Sequence, residues 1–268
     1  LKQYYGYTTF REGQSNIIES VLSGRDTLGI MPTGGGKSVC YQIPALILPG
    51  IALVISPLIS LMKDQVDSLV SLGIAATFIN SSLSYTQVQE RVHKAIQGEY
   101  RLLYIAPERL ESESFLRLLR SLPVSLLAID EAHCVSQWGH DFRPSYRSIA
   151  TLIGTLENRP IVAAFTANAT PEVKQDIVRL LSLQNANTFL TGFNRGNLSF
   201  TVVRGENKQD FLVNYMETHR GQAGIIYAAT RKEVDRLYDW LRKKRYATAK
   251  YHAGLSDAER IHNQDQFL

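Results

Sequence analysis

Cysteine is nearly absent from this chain: Cys40 and Cys134 are the two among 268 residues. Two thiols so far apart in sequence cannot supply a four-cysteine zinc site, and their scarcity suits a reducing compartment rather than a disulfide-stapled secreted fold. No zinc site is therefore expected within this chain. The sequence also lacks any apolar run of about 18 residues and any basic-then-apolar leader, so neither a membrane span nor a secretory signal is expected. The expected location is cytoplasmic, at a bacterial nucleoid, or nuclear, and not secreted. Internal repeats and low-complexity stretches are missing too, which argues against a solenoid or a linker-like chain.

What is present is a large apolar fraction, 44% of residues, enough for a buried core and for more than one domain of ordinary size. The net charge of +4 is unevenly placed: residues 1–193 hold 16 basic and 16 acidic side chains, whereas residues 194–268 hold 13 and 9. Much of the excess lies in Arg242, Lys243, Lys244 and Arg245. Cations at a helix end favour the negative pole of its dipole, so this cluster reads first as a solvated helix terminus.

Short apolar runs bounded by turn residues alternate with amphipathic stretches of helical length. The spacing predicts strands over Thr27–Met31, Ile51–Ser56, Leu102–Ile105, Leu126–Asp130, Ile161–Thr166 and Gly224–Tyr227. It predicts helices over Lys37–Leu46, Ile59–Leu72, Tyr85–Ile96, Pro171–Leu181 and Lys232–Lys244. Alternation of this kind implies an α/β fold with a mainly parallel sheet covered on both faces, whose ligands sit at the carboxyl ends of the strands. Gly192–Asn197, rich in Gly and Asn, separates this pattern from a second strand and helix series beginning near Ser199. The expected domains are therefore residues 1–193 and residues 194–268, the second with too few strands to be complete.

Met31-Pro-Thr-Gly-Gly-Gly-Lys-Ser38 follows a predicted strand and opens a predicted helix, which is where a phosphate cradle sits. Thr33, Gly34, Gly35 and Gly36 let backbone N–H groups converge on phosphate oxygens, and the helix start adds its positive pole. Lys37 would reach the β and γ phosphates of ATP, and the Ser38 hydroxyl would ligate Mg2+. A phosphate loop needs a second carboxylate on a neighbouring strand. Leu126-Leu-Ala-Ile-Asp-Glu-Ala-His133 supplies one at the end of an apolar run, with Asp130 for the magnesium shell and Glu131 for the attacking water.

Asp130-Glu-Ala-His133 resembles a motif of superfamily 2 helicases, and a phosphate loop that starts on Met31 instead of glycine resembles the relaxed form found in helicases. The following Cys-Val-Ser-Gln-Trp-Gly-His-Asp-Phe-Arg-Pro-Ser-Tyr146 resembles the aromatic-rich loop of the RecQ DNA helicases. Phe10-Arg-Glu-Gly-Gln14 is similar to their adenine-recognition motif, Ser56-Pro-Leu-Ile-Ser-Leu-Met-Lys-Asp-Gln65 to their motif Ia, and Thr166-Ala-Asn-Ala-Thr170 to their motif III. Gly224-Ile-Ile-Tyr227 and Tyr251-His-Ala-Gly-Leu255 fit the start of their second motor domain. The resemblance implies two RecA-like P-loop domains, the second truncated, and an ATP-driven motor that translocates 3′ to 5′ on single-stranded DNA and unwinds partly duplex DNA in repair and recombination.

The same resemblance assigns roles. Tyr7 and Arg11 flank the base, while the Gln14 amide both donates to and accepts from the adenine edge. Ser56 and Lys63 hold a DNA backbone, helped by Ser60; Trp138 and Phe142 stack on bases, and Arg143 pairs with phosphate or senses nucleotide state. His133, Thr166 and Thr170 couple the ATP site to the DNA surface, with Asn168 standing where the motif has threonine and Gly196 where the interdomain entry has proline. The family's arginine finger lies in motifs beyond Leu268, so this stretch is expected to bind nucleotide but to turn it over slowly and not to unwind duplexes, and further C-terminal domains are expected. An RNA helicase of the same superfamily and a nucleotide-gated nucleic-acid-binding module stay open as alternatives.

Overall fold

In the computed structural model, residues 1–192 and 198–267 are described. The chain folds as two compact units, Leu1–Gly196 and Asn197–Leu268. The separator expected at Gly192–Asn197, including Gly196, falls almost wholly outside the described residues.

The first unit runs α1 (Lys2–Tyr5), α2 (Gln14–Leu22), β1 (Thr27–Ile30), α3 (Lys37–Ile47), β2 (Ile51–Ile55), α4 (Ile59–Ser71), β3 (Ala76–Ile79) and α5 (Tyr85–Ile96). It continues through β4 (Leu102–Ile105), α6 (Glu113–Leu119), β5 (Val124–Ile129), α7 (Ser148–Thr155), β6 (Ile161–Thr166), α8 (Pro171–Leu180) and β7 (Asn187–Leu190). All seven strands form one sheet in the order β3-β4-β2-β5-β6-β1-β7, and every pairing is parallel. A parallel strand inside such a sheet is covered on both faces, which is why β1, β2 and β4 are buried at every position.

Two apolar layers result. Leu53, Ile55, Leu103, Ile105, Leu127 and Ile129 point to one face, and Val54, Tyr104, Leu126, Ala128, Ala163 and Phe165 to the other. Each fully buried Leu or Ile in these layers stabilises the fold by about 1.5–3 kcal/mol. Gly29 is required by packing: a Cβ there would lie 3.0 Å from Phe165 and 3.3 Å from Ile17 of α2.

Two strands, β3 and β7, escape the apolar-run pattern. Each is four residues long at a sheet edge, and β7 alternates between half-buried and exposed positions, so neither carries the continuous apolar run of a central strand. Helix α2 was also not foreseen; Gly13, at φ 79°, starts it in the left-handed region.

The second unit contains α9 (Lys208–Thr218), α10 (Arg231–Lys243) and α11 (Asp257–Phe267), with no strand among its described residues. This corrects the strand expected over Gly224–Tyr227 and the strand series expected near Ser199. Those residues lie in no sheet, and Phe200, Ile225 and Tyr227 are exposed. The physical reason is that an apolar run becomes a strand only when a neighbour completes its ladder, and the described residues here offer none.

Candidate nucleotide-binding site

The sheet order decides what meets at its carboxyl edge. Because β6 lies between β5 and β1, Thr166 at the end of β6 stands between the glycine-rich loop after β1 and the acidic pair after β5. The Met31 N–H donates to the Thr166 carbonyl at 2.9 Å, which closes the base of the loop onto β6.

Gly34 and Gly36 sit at φ 78° and 81°, where an L side chain is strained, and a Cβ on Gly36 would fall 2.3 Å from Gln14 Nε2. Gly35 is held between them in another way. Its N–H, expected to point at a phosphate, donates instead to the Pro32 carbonyl at 2.9 Å, and a Cβ on Gly35 would lie 2.9 Å from that same oxygen. In this conformation Gly35 lets the loop turn tightly on itself, with its N–H directed at the Pro32 carbonyl. Gly36 caps α3 without a side-chain hydrogen bond, so no capping side chain fills the helix start where an anion would sit. Lys37, at the first position of the helix, places Nζ 3.6 Å from Glu131 Oε1.

Arg11 and Gln14 reach the same loop. Arg11 Nη1 donates to the Gly34 carbonyl at 2.5 Å. Gln14 is buried, its Nε2 donating to the Gly36 carbonyl at 3.1 Å and its Oε1 accepting from the Arg11 N–H at 2.8 Å. Both ends of the amide that were expected to read the adenine edge are thus engaged with protein. In this conformation Gln14 acts as a clasp between the segment before α2 and the phosphate loop. Tyr7 is 60% exposed.

Asp130 follows β5, its N–H bonded to the Ile55 carbonyl at 2.8 Å. Its carboxyl is buried, and burial together with the neighbouring Glu131 charge pushes its pKa up to about 6. A buried carboxylate with this deficit of positive charge fits a divalent cation, and Ser38, at the start of α3, supplies a hydroxyl of the right kind. Among the described residues no cluster of three or more His, Cys, Asp or Glu forms a metal centre by itself.

Glu131 adopts a left-handed backbone, φ 46° and ψ 47°. Its pKa is lowered, chiefly by a hydrogen bond from His133 and also by Lys37, against an opposing contribution from burial. His133 Nδ1 lies 3.3 Å from Glu131 Oε2 and 2.9 Å from Thr166 Oγ1. The Thr166 hydroxyl itself donates to the Asn168 carbonyl at 2.9 Å, so Nδ1 must carry the proton that His133 shares between them. Asn168 therefore takes part through its backbone, and a threonine side chain is not needed there for this bond.

The aromatic loop packs directly behind this cluster. The ring of His140 stacks on His133 with centroids 4.2 Å apart, and the Tyr146 hydroxyl donates to the Asp130 carbonyl at 2.8 Å. Neither residue carries an expected role, although both stand within the aromatic-rich motif that ends at Tyr146. Gly139 is equally constrained, since a Cβ would lie 2.4 Å from the His133 carbonyl oxygen. The Ser136 hydroxyl anchors the loop to α8 through Asp176 at 2.8 Å.

Of the loop's expected contact residues, Trp138 is 79% exposed, Phe142 is half-buried beneath Arg147, and Arg143 is held by Asp141 at 3.1 Å and by the Pro57 carbonyl at 3.1 Å. The Pro57 contact joins the aromatic loop to the start of α4. Lys63 on α4 is exposed and paired with Asp67 at 2.5 Å. Ser56 is placed otherwise than expected: it is buried, and its hydroxyl has no partner among the described residues, so it does not present itself to a strand. Thr170 caps α8, accepting from the Val173 N–H at 3.3 Å, and the described bonds do not join it to the cluster around Thr166.

A family profile for DEAD/DEAH box helicases matches residues 11–177. The whole chain aligns at 53% identity with the ATP-dependent DNA helicase RecQ of Bacillus subtilis (strain 168), of which it spans 46%. It aligns at 45% identity with the protein of the same description from Haemophilus influenzae, of which it spans 43%. Among solved structures, the helicase Lhr of Mycobacterium smegmatis, described as bound to ssDNA and AMP-PNP, superposes over 97% of this chain and 38% of its own, with a TM-score of 0.66 at 19% identity. The DUF1998 helicase MrfA superposes over 91% of this chain and 40% of its own, with a TM-score of 0.68 at 17% identity. At such identities these two structures speak for the fold alone, a helicase-type RecA-like sheet.

Proposed function

This chain belongs to the DEAD/DEAH box helicase family, and from that premise we propose that it is the nucleotide-binding part of a RecQ-type, ATP-dependent DNA helicase motor. The observation that carries the proposal is the convergence of Lys37, Asp130, Glu131, His133 and Thr166 at one edge of the sheet, with the aromatic loop stacked on the same histidine. The glycine loop and the α3 terminus bind the phosphates of ATP, with Lys37 leaving Glu131 for the γ-phosphate. Ser38 and Asp130 would hold Mg2+, whose charge would offset the negative charge of the phosphates. Glu131, its pKa lowered, is a weak base and serves to orient the attacking water. Tyr7 and Arg11 flank the base.

Because His133 touches both Glu131 and Thr166 and stacks on His140, a strand held by Trp138, Phe142 and Arg143 acts on the hydrolytic pair through one imidazole. Thr170 and Lys63 extend that surface toward the strand. The chain spans under half the length of the two RecQ relatives, so translocation 3′ to 5′, unwinding of partly duplex DNA and a role in repair and recombination are proposed for the whole protein. The chain alone is expected to bind nucleotide and turn it over slowly.

The test is steady-state ATP hydrolysis by this chain, extended to its relatives' length, with no polymer, with single-stranded DNA and with single-stranded RNA. Stimulation by DNA, reduced about 100-fold or more by Lys37→Ala, is the expected result. Equal stimulation by RNA moves the protein to an RNA-acting branch of the superfamily, and no stimulation by either polymer overturns the reading of the aromatic loop.

A further inference from the structure

The end of α10, in the second unit, has no task in the nucleotide site. Arg242, Lys243, Lys244 and Arg245 are four consecutive cations, all exposed. None forms an ion pair with a carboxylate among the described residues, whereas Lys250 in the same unit is paired with Asp235. A helix terminus carries about half a negative charge. Dipole compensation therefore accounts for one cation here and leaves roughly three positive charges to be explained.

Two further observations are independent of the charge count. First, rings of α10 lie under two of the four cations: Lys244 Nζ lies 5.4 Å from the Trp240 ring centroid and the Arg242 guanidinium 6.0 Å from that of Tyr238. Long side chains laid on aromatic faces lose less freedom when a ligand arrives. Second, the helix ends in a full Schellman turn, with Tyr246 N–H bonded to the Leu241 carbonyl at 3.1 Å and Arg245 N–H to the Arg242 carbonyl at 2.9 Å. The residue after the cap must then be left-handed, a position normally given to glycine. Here it is Arg245, at φ 67°. A strained backbone that retains an exposed guanidinium favours a use for the guanidinium over a use for the turn.

Successive helical residues step by about 100°, so these cations surround the helix end instead of lining one face. A flexible chain with closely spaced negative charges can engage them together, and the forks of Arg242 and Arg245 match phosphate oxygens. We propose that the C-terminal end of α10 is a separate contact for the phosphodiester backbone of nucleic acid, sequence-independent and outside the nucleotide site. It rests on the nucleic-acid reading of the family, and it places part of the polymer on the second unit.

The test measures binding of a fluorescein-labelled single-stranded DNA oligonucleotide by anisotropy across a salt series. The proteins are the unmodified chain, Arg245→Gly, the double variant Lys243→Ala with Lys244→Ala, and Trp138→Ala. Each lost phosphate contact is expected to lower the slope of log affinity against log salt by about 0.7, and affinity at 50 mM salt by roughly eightfold. Arg245→Gly also relieves the left-handed arginine, so its melting temperature stays level or rises while binding falls, a combination that a purely structural role does not produce.

Unchanged affinity and slope in both α10 variants, with loss in Trp138→Ala, overturns this proposal and leaves the aromatic loop's role standing. Loss in the α10 variants with full binding by Trp138→Ala does the reverse. Equal displacement of the oligonucleotide by polyglutamate through the α10 end alone assigns that end to acidic protein partners and overturns the nucleic-acid assignment. An unmodified chain that binds no oligonucleotide removes both.

Discussion

The two units of this chain obey the same residue preferences and reach opposite outcomes. In the first, seven parallel strands bury two apolar layers. In the second, Leu241 is the one buried residue among those described, while Phe200 is 93% and Tyr227 91% exposed. Apolar content alone does not make a core. A parallel sheet is stabilised when neighbouring strands and covering helices arrive together, and where the described residues supply helices without paired strands, the same Ile, Val and Tyr residues stay in water.

Hydrogen exchange gives the largest expected contrast. Amides of β2 and β5 should open only with global unfolding, at a free energy on the order of 5–15 kcal/mol, while those of residues 224–228 should exchange near the intrinsic rate. Strong protection over 224–228 would break the comparison, because it would require a ladder there. Next in size is a pair of truncations read by denaturant unfolding. Leu127→Ala, in the fully buried layer of β5, should cost about 2–5 kcal/mol, and Val202→Ala, at an 80% exposed position, within about 0.5 kcal/mol. Similar losses at both positions would mean that the second unit has a core of its own.

The acidic pair sharpens the contrast through pH. With its pKa raised from 3.8 to about 6, Asp130 holds its proton more tightly in the folded state, so its contribution to stability falls as pH rises from about 4 to about 6. The shift corresponds to at most about 3 kcal/mol. Asp130→Asn should therefore stabilise the ligand-free chain at pH 7 and flatten that part of the pH profile. Glu131, with its pKa lowered, contributes with the opposite sign at lower pH. A melting curve series from pH 4 to pH 7 that is unchanged by the substitution would show the Asp130 carboxyl to be solvated. A smaller effect than that of Asp130→Asn is expected from Tyr146→Phe, which removes one buried hydrogen bond to the Asp130 carbonyl and should cost about 1–2 kcal/mol. A loss of polymer-stimulated hydrolysis larger than the loss of stability would make Tyr146 a positioning residue for the acidic pair.

Much of the first unit is legible without coordinates. The central strands and the helices after them carry unbroken apolar runs or clean amphipathic spacing, and α5 spans the residues its pattern indicates, Tyr85–Ile96, closed by a capping box from Ser84 and Gln87. The edge strands β3 and β7 are not legible, because four residues with a threonine among them make no continuous apolar run, and β7 is half solvated besides. The site divides in the same way. Its phosphate loop and its acidic pair are each a run of adjacent residues, but the inward turn of Gln14, the burial of Ser56 and the stacking of His140 on His133 join residues that no local pattern connects. Within the loop itself, three glycines in a row look alike in sequence, and only the turn onto Pro32 separates Gly35 from its neighbours.

By itself the sequence determined the chemistry on offer: a glycine cradle before a helix, a lysine at its start, two carboxylates after an apolar run, and an aromatic loop following directly. These are matters of adjacent residues, where backbone freedom, side-chain type and spacing act within a few bonds. Only the tertiary structure decided that β6 runs between β1 and β5, and with it that Thr166, His133 and Glu131 share a proton network beneath the phosphate loop. Strand order depends on which distant segments pair and on which layers they bury together, and the free energy that selects it is spread over the whole sheet.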